Sequence, residues 1–99
     1  MRKTDYLKFS AKDWYERGQR LTHDGRHSEA IEALNQAIAK NPAYGEAYFV
    51  RGACYYAQGH YNQAGDDIDA AALFGCRDAQ FWSKHVIHSL TRGADDRRE

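Results

Sequence analysis

The histidines and cysteines are the residues that could hold a metal ion or act as nucleophiles. His85 and His88 are three positions apart, so they would share one face of a helix, and His23 and His27 lie on either side of Gly25. Neither pair has a cysteine or paired carboxylates at metal-ligand spacing, and two histidines are too few for a structural zinc site. The sequence therefore predicts no metal ion and no cofactor.

The two cysteines, Cys54 and Cys76, are too few for a disulfide framework or a metal knuckle. Free cysteines are often buried, so both are expected to be small core residues. Cys54 falls in the middle of a predicted helix on its packing face, which is a poor place for a reactive thiolate. Nucleophilic catalysis would also need a base beside the nucleophile. We expect the protein not to be an enzyme.

Composition narrows the classes of partner. The chain has 99 residues, enough for one domain, and equal numbers of basic and acidic residues, 14 of each. No basic stripe is present for phosphate contacts, so no nucleic-acid partner is expected. The mean hydropathy is −0.84 and no long apolar run occurs, so no membrane association is expected. No secretory signal is visible in residues 1–10, and the cytoplasm is the expected location.

The elements that must position these residues are indicated by an internal repeat, because two stretches align with Gly18 and Gly52 34 residues apart. The first halves share an aromatic residue, an arginine, a glycine and a large apolar residue: Trp14, Arg17, Gly18 and Leu21, then Tyr48, Arg51, Gly52 and Tyr55. The second halves share a glycine, two alanines and an aliphatic residue: Gly25, Ala30, Leu34 and Ala37, then Gly59, Ala64, Ile68 and Ala71. Within each stretch the apolar residues fall on one helical face.

The breaks between these stretches predict helices over 11–23, 28–40, 44–57, 62–74 and 79–91. Gly25 and Gly59 stand where a helix would end in a left-handed conformation, and Pro42 ends the helix before it. Ser10 and Asp78 are the expected N-caps of the first and fifth helices. Cys76 stands where the first repeat has Pro42, so the last junction is expected to be less sharply fixed.

The 34-residue period with this residue pattern resembles the tetratricopeptide repeat (TPR), a helix–turn–helix unit. The resemblance implies an all-α superhelix of about five helices in antiparallel pairs. It divides the chain into an N-terminal extension (1–10), a TPR domain (11–91) and a disordered tail (92–99). Within the domain, repeat one is 11–44, repeat two is 45–78 and a capping helix is 79–91.

The resemblance also implies a function, which is to bind a peptide or helix of a partner protein, as an adaptor or scaffold does. The first helix of each repeat would line a concave groove. The groove positions are Lys12, Tyr15, Gln19, Thr22, His23, Glu46, Phe49, Val50, Ala53, Tyr56, Gln80, Ser83, Lys84 and Ile87. The aromatic residues among them either anchor a partner or pack on neighbouring helices, and the sequence leaves both open.

One TPR subset binds acidic C-termini through a clamp of cationic and amide side chains. In the matching positions, Tyr15, Gln19, Val50, Gln80 and Lys84, only Lys84 keeps the charge, and Val50 cannot bind a carboxylate. An amphipathic helix or an extended apolar peptide is therefore the expected partner.

The two ends of the repeat stack differ. Asp13 and Arg20 are polar, whereas the equivalent positions of later repeats carry residues that can be buried. The stack is therefore expected to begin with the helix that carries Asp13 and Arg20. The corresponding Phe81 and His88 are expected to pack the fifth helix onto the fourth.

The outer face of the fifth helix carries the apolar residues Trp82 and Val86, although no sixth helix is predicted to cover it. The segment 6–9 folds back over it, or the face self-associates into a homo-oligomer, or the natural protein continues further.

Charged residues in the repeats predict one ion pair. Arg51 and Asp67 would face each other on adjacent helices of the second repeat, as a weakly stabilising pair. The first repeat has Ala33 in place of Asp67, which leaves Arg17 to solvent, Glu16 or Glu32. Two nearby acidic residues, Asp66 and Asp69, indicate a solvated face.

Overall fold

The computed structural model describes residues 8–83. They form five α-helices and no strand: α1 (Ala11–His23), α2 (His27–Lys40), α3 (Gly45–Ala57), α4 (Tyr61–Leu73) and α5 (Arg77–Trp82). Within the described range α1 packs on α2 and α3 on α4, and the contacts of α2 with α3 and of α4 with α5 join the pairs. The predicted all-α stack of helix pairs is confirmed, and the first four helices agree with their predicted bounds to within one residue.

The capping residues match the prediction at α1 but not at α5. At α1, the Asp13 backbone N–H donates to Ser10 Oγ (3.1 Å) and the Ser10 N–H donates to Asp13 Oδ2 (3.0 Å), which is a capping box. The prediction of Asp78 as a cap is wrong, because Cys76 is the N-cap of α5. Cys76 is the last extended residue after the turn at Gly75, so the helix begins two residues earlier and Asp78 lies in its first turn.

Three helices end in the same way. After α1, α3 and α4 the chain passes through a glycine with positive φ, namely Gly25, Gly59 and Gly75. The residue after each glycine donates its N–H to the carbonyl five residues earlier, as Cys76 does to Ala71 at 3.0 Å, which is a Schellman motif. The left-handed ends at Gly25 and Gly59 are confirmed. At the last junction Gly75 closes α4 in this way, whereas α2 ends at Lys40 with Asn41 as its C-cap, directly before Pro42.

Close crossing of the paired helices explains the glycines at matching positions. A β-carbon on Gly18 would lie 2.6 Å from Leu34 Cγ, and one on Gly52 would lie 2.9 Å from Ile68 Cδ1. Both distances are too short for non-bonded carbon atoms. The core forms one buried cluster around Trp14, Leu34 and Cys54 and a smaller one around Ile68.

The two described ends of the stack are unlike each other. Asp13 and Arg20 are exposed, as expected of a face with no preceding helix. At the other end α5 packs on α4 as predicted, but the buried residue of α5 is Ala79, whereas Phe81, which was predicted to lie in this contact, is 58% exposed. The position equivalent to Phe81 holds the fully buried Ala47 in α3, and the larger ring lies outside such a narrow contact.

Several predictions fall on residues outside 8–83. They are the rest of the predicted helix 79–91, the tail 92–99, and the residues Lys84, His85, Val86, Ile87 and His88. Of the segment 6–9, only Lys8 and Phe9 are described, and the ring of Phe9 packs edge-on against Trp14, with centroids 5.4 Å apart. Phe9 therefore covers the first cluster at the start of the stack rather than Trp82.

Candidate functional site

Two neighbouring clefts lie along α3. The first, here called the α1–α3 cleft, has a volume of about 310 Å³ and is lined by Gln19, Thr22, His23, Phe49, Val50 and Ala53. The second, the α3–α5 cleft, has a volume of about 90 Å³ and is lined by Phe49, Gly52, Ala53, Tyr56, Ile68 and Trp82. Phe49 and Ala53 line both, so the two clefts form one continuous surface to which α1, α3, α4 and α5 contribute.

Most of the groove positions expected on α1 and α3 meet at this surface. Gln19, Thr22 and His23 contribute from α1, and Phe49, Val50, Ala53 and Tyr56 contribute from α3. The exposed side chains of Lys12 and Glu46 do not line either cleft. On α5, Gln80 donates to the Ala72 carbonyl (3.1 Å) and Ser83 donates to Asp69 Oδ1, so both are engaged with α4.

Tyr15, the third aromatic residue expected in the groove, lies elsewhere. Its ring packs against Tyr44, with centroids 5.1 Å apart, and it joins the edge of the first core cluster. Burial raises the pKa of both phenols, and the carboxylate of Glu46 raises each of them further. The position of Tyr15 agrees with the packing alternative rather than with a partner anchor.

Trp82 is the residue that sequence reasoning placed on a different face. Its ring is 6.3 Å from that of Tyr56, and the ring of Tyr56 is 5.1 Å from that of Tyr61. By its repeat position, 34 residues after Tyr48, Trp82 was expected to face a following helix. Instead it forms a wall of the α3–α5 cleft, while Gly52 and Ile68, expected only as packing residues, also line it.

A hydroxyl–thiol contact lies beneath the α1–α3 cleft. Thr22 Oγ1 donates to the Gly18 carbonyl at 2.8 Å and lies 3.2 Å from Cys54 Sγ. Burial raises the pKa of the Cys54 thiol, and the contact with Thr22 opposes that shift only in part. The thiol is therefore protonated near neutral pH, which fits the expected packing role.

An ion pair to α4 and a hydrogen bond to α2 connect α3 to both of these neighbours. Arg51 Nε donates to Asp67 Oδ2 and Arg51 Nη2 donates to Asp67 Oδ1, each at 2.7 Å. Arg51 Nη1 also donates to Asn35 Oδ1 on α2 at 2.7 Å. The predicted Arg51–Asp67 pair is confirmed, and the structure adds Asn35 to it. The hydrogen bonds to Asp67 raise the pKa of Arg51, while Arg17, in the other repeat, lies over the Trp14 ring at 5.8 Å.

Neither a metal centre nor a membrane span is found in residues 8–83. No three histidine, cysteine or acidic side chains in that range are grouped so as to hold a metal ion. None of the helices in the same range has the length and apolarity needed to cross a bilayer.

Residues 18–59 match the family model of the TPR repeat. Over this segment the chain is similar to the TPR repeat. The match runs from Gly18 in α1 to Gly59 after α3, and the five helices are consistent with about two TPR repeats and a capping helix. No curated protein and no solved structure matches the chain significantly. TPR repeats are generally non-catalytic modules of protein–protein interaction.

Proposed function

We propose that this protein binds a helix or an extended apolar segment of a partner protein along the two clefts of α3. The observation that carries the proposal is their continuity, since Phe49 and Ala53 line both. A groove of this kind accepts side chains spaced along one face of a peptide. The proposed contact residues are Gln19, His23, Phe49, Val50, Ala53, Tyr56 and Trp82, with Lys12 and Glu46 beside them; Lys84, expected from the sequence, lies outside the described residues.

The chemistry of the surface supports an apolar partner. The side chains lining the clefts include no Lys, Arg, Asp or Glu, and the aromatic rings of Phe49, Tyr56 and Trp82 provide large contact areas. Tyr56 and Trp82 are 38% and 36% exposed, so contact with a partner would remove their remaining apolar surface from water. The two buried free cysteines suit a reducing compartment, and we place this adaptor in the cytoplasm.

The test uses Ala53→Glu, because Ala53 is exposed and lines both clefts. A glutamate there would place a charge in the middle of the surface without removing a packing residue. Ala39→Glu is the matched control, since Ala39 is an exposed helical alanine on α2 and lines neither cleft. Affinity capture from the host should retain the same protein with the wild type and with Ala39→Glu, and lose it with Ala53→Glu. Equal capture by all three would contradict the groove.

Self-association through the C-terminal edge is the second candidate. Leu73 at the end of α4 and Phe81 on α5 are 79% and 58% exposed, which leaves large apolar side chains on this edge. The residues expected to mediate it are Trp82 and Val86, of which Val86 lies beyond the described range. Sedimentation velocity should then give a dimer that Phe81→Glu dissociates and Ala39→Glu does not. A monomer at high concentration would contradict it.

A further inference from the structure

We infer that Asp24 is a modification site, at which the peptide link to Gly25 rearranges to isoaspartate when the end of α1 opens, and that the folded helix end suppresses this rearrangement. The inference goes beyond the proposed function and holds whatever the clefts of α3 bind. It concerns the exposed residues between α1 and α2, namely Asp24, Gly25 and Arg26.

The dipeptide Asp24-Gly25 supplies both reacting groups. The Gly25 backbone nitrogen attacks Cγ of Asp24, and a C–N bond forms while the amide proton and the carboxyl OH leave together as water. The product is a cyclic imide, which water then opens. Opening at the main-chain carbonyl leaves the chain running through the side-chain carbonyl, which is isoaspartate, and opening at the other carbonyl restores aspartate. Glycine favours the attack because it has no Cβ to hinder its nitrogen.

The folded backbone at Asp24 keeps these two groups apart. Ring closure requires the Gly25 nitrogen to eclipse Cβ in a view along the Asp24 Cα–C bond. Asp24 has φ −80° and ψ 0°, so the Gly25 nitrogen eclipses the Asp24 nitrogen instead. The Gly25 N–H is also engaged, because it donates to the Thr22 carbonyl at 3.0 Å. The end of α1 therefore hinders both the approach of the nitrogen and the loss of its proton.

The glycine that makes this sequence reactive is also the one that the helix end requires. Gly25 has φ +77°, a left-handed conformation that residues with a Cβ rarely adopt. At the other two helix ends of this kind the residue before the glycine is Gln58 or Phe74, and neither offers an aspartate carboxyl. Asp24 is the only aspartate followed by a glycine in the sequence, and no asparagine is followed by one.

Rearrangement at Asp24 would disrupt the end of α1. Isoaspartate adds a methylene group to the main chain, so the Gly25 N–H moves away from the Thr22 carbonyl. The hydrogen bond from the Arg26 N–H to the Leu21 carbonyl, 2.9 Å in the folded protein, is lost with it. Thr22 also lines the α1–α3 cleft, so the modification would alter one wall of that cleft.

The test uses Asp24→Asn, because asparagine forms the same imide with loss of ammonia and its hydrolysis products differ from it in mass. Conversion would be followed by mass spectrometry of the digested protein, in the folded state and in guanidinium chloride at the same pH and temperature, with circular dichroism as the measure of folding. We expect conversion in denaturant and a rate at least about tenfold lower in the folded protein, because the reaction waits for local opening. Equal rates in the two conditions, or no conversion in denaturant, would overturn the inference.

Gln58→Asn is the matched variant, because it places the same dipeptide at the end of α3. Residue 58 has φ −88° and ψ −1°, and the Gly59 N–H donates to the Tyr56 carbonyl at 3.0 Å. Both asparagines should convert alike in denaturant and both should be protected in the folded protein, whereas rapid conversion of folded Gln58→Asn would overturn the role of the helix-end geometry. In the wild type, isoaspartate measured by enzymatic methylation should accumulate at Asp24 in denaturant only. Its accumulation at the same rate in the folded protein would overturn the inference.

Discussion

Arg51 on α3 and Asp67 on α4 form a two-point ion pair, in which both nitrogen–oxygen distances are 2.7 Å. The Asp67 side chain is 8% exposed and that of Arg51 is 20% exposed, so the pair is largely withdrawn from water. The same guanidinium reaches Asn35 on α2 and lies over the rings of Tyr48 and Tyr55. One side chain therefore connects three helices behind the α3 surface that carries the clefts.

Asp67→Ala should lower the free energy of unfolding by about 2 kcal/mol, because it leaves a largely buried guanidinium without its carboxylate. Urea denaturation followed by circular dichroism would measure the change. Asp66→Ala is the control, since Asp66 is the exposed neighbour on the same helix. Equal effects of the two substitutions would mean that the pair contributes no net stability.

Gly52→Ala should destabilise the protein by about 1–3 kcal/mol, because its new methyl group would meet Ile68 Cδ1 at 2.9 Å and Asp67 Cβ at 3.1 Å. Helix propensity alone predicts the opposite sign, a gain of about 1 kcal/mol. Ala53→Gly, at the next position on the exposed face, measures that propensity in the same helix. A stabilised Gly52→Ala protein would show that α3 and α4 can move apart at no cost.

Ser10→Ala should raise the pKa of Asp13 towards its ordinary value. The Ser10 backbone N–H, and then its hydroxyl, hold that pKa below the ordinary value by hydrogen bonding to the carboxylate. A lowered pKa means that the folded state binds the proton more weakly than the unfolded state does. The stabilisation is then complete above the unfolded pKa and is lost as the pH falls through the folded one.

Titration of the Asp13 side-chain carbon by NMR measures this shift directly. Ser28→Ala serves as the control, because Ser28 accepts its hydrogen bond from Gln58 and not from the α1 cap. An Asp13 pKa that Ser10→Ala leaves unchanged would mean that the Ser10 hydroxyl does not contribute to the lowering and that the backbone N–H alone accounts for it.

Thr22→Val should raise the pKa of the Cys54 thiol above its already elevated value, because it removes the hydroxyl that lies 3.2 Å from the sulfur. The rate of alkylation of Cys54 against pH, in a Cys76→Ala background, gives the pKa. We expect the rise in rate to move to higher pH in Thr22→Val, while Thr22→Ser should behave like the wild type. A shift to lower pH would mean that the Thr22 hydroxyl does not stabilise the Cys54 thiolate.

The helices and their order follow from the sequence because the signals for them are local or periodic. Ser10 marks a helix start through its side-chain oxygen, and Gly25, Pro42 and Gly59 mark helix ends through their backbone conformation, independently of distant residues. The 34-residue repeat then identifies equivalent positions, and the pairing of helices within one repeat is why the Arg51–Asp67 pair could be predicted.

The spacing of residues does not determine how far each helix is rotated and shifted against its neighbour. Only the tertiary structure decides this. Tyr15 pairs with Tyr44 rather than lining a cleft, and Trp82 closes a cleft beside Tyr56 rather than facing outwards. Phe81 is exposed, whereas Ala47, at the equivalent position of α3, is buried. The contact between helices at this position has room for a methyl group but not for a ring. Repeat position therefore determines which residues are equivalent, while side-chain size and helix rotation determine which of them meet.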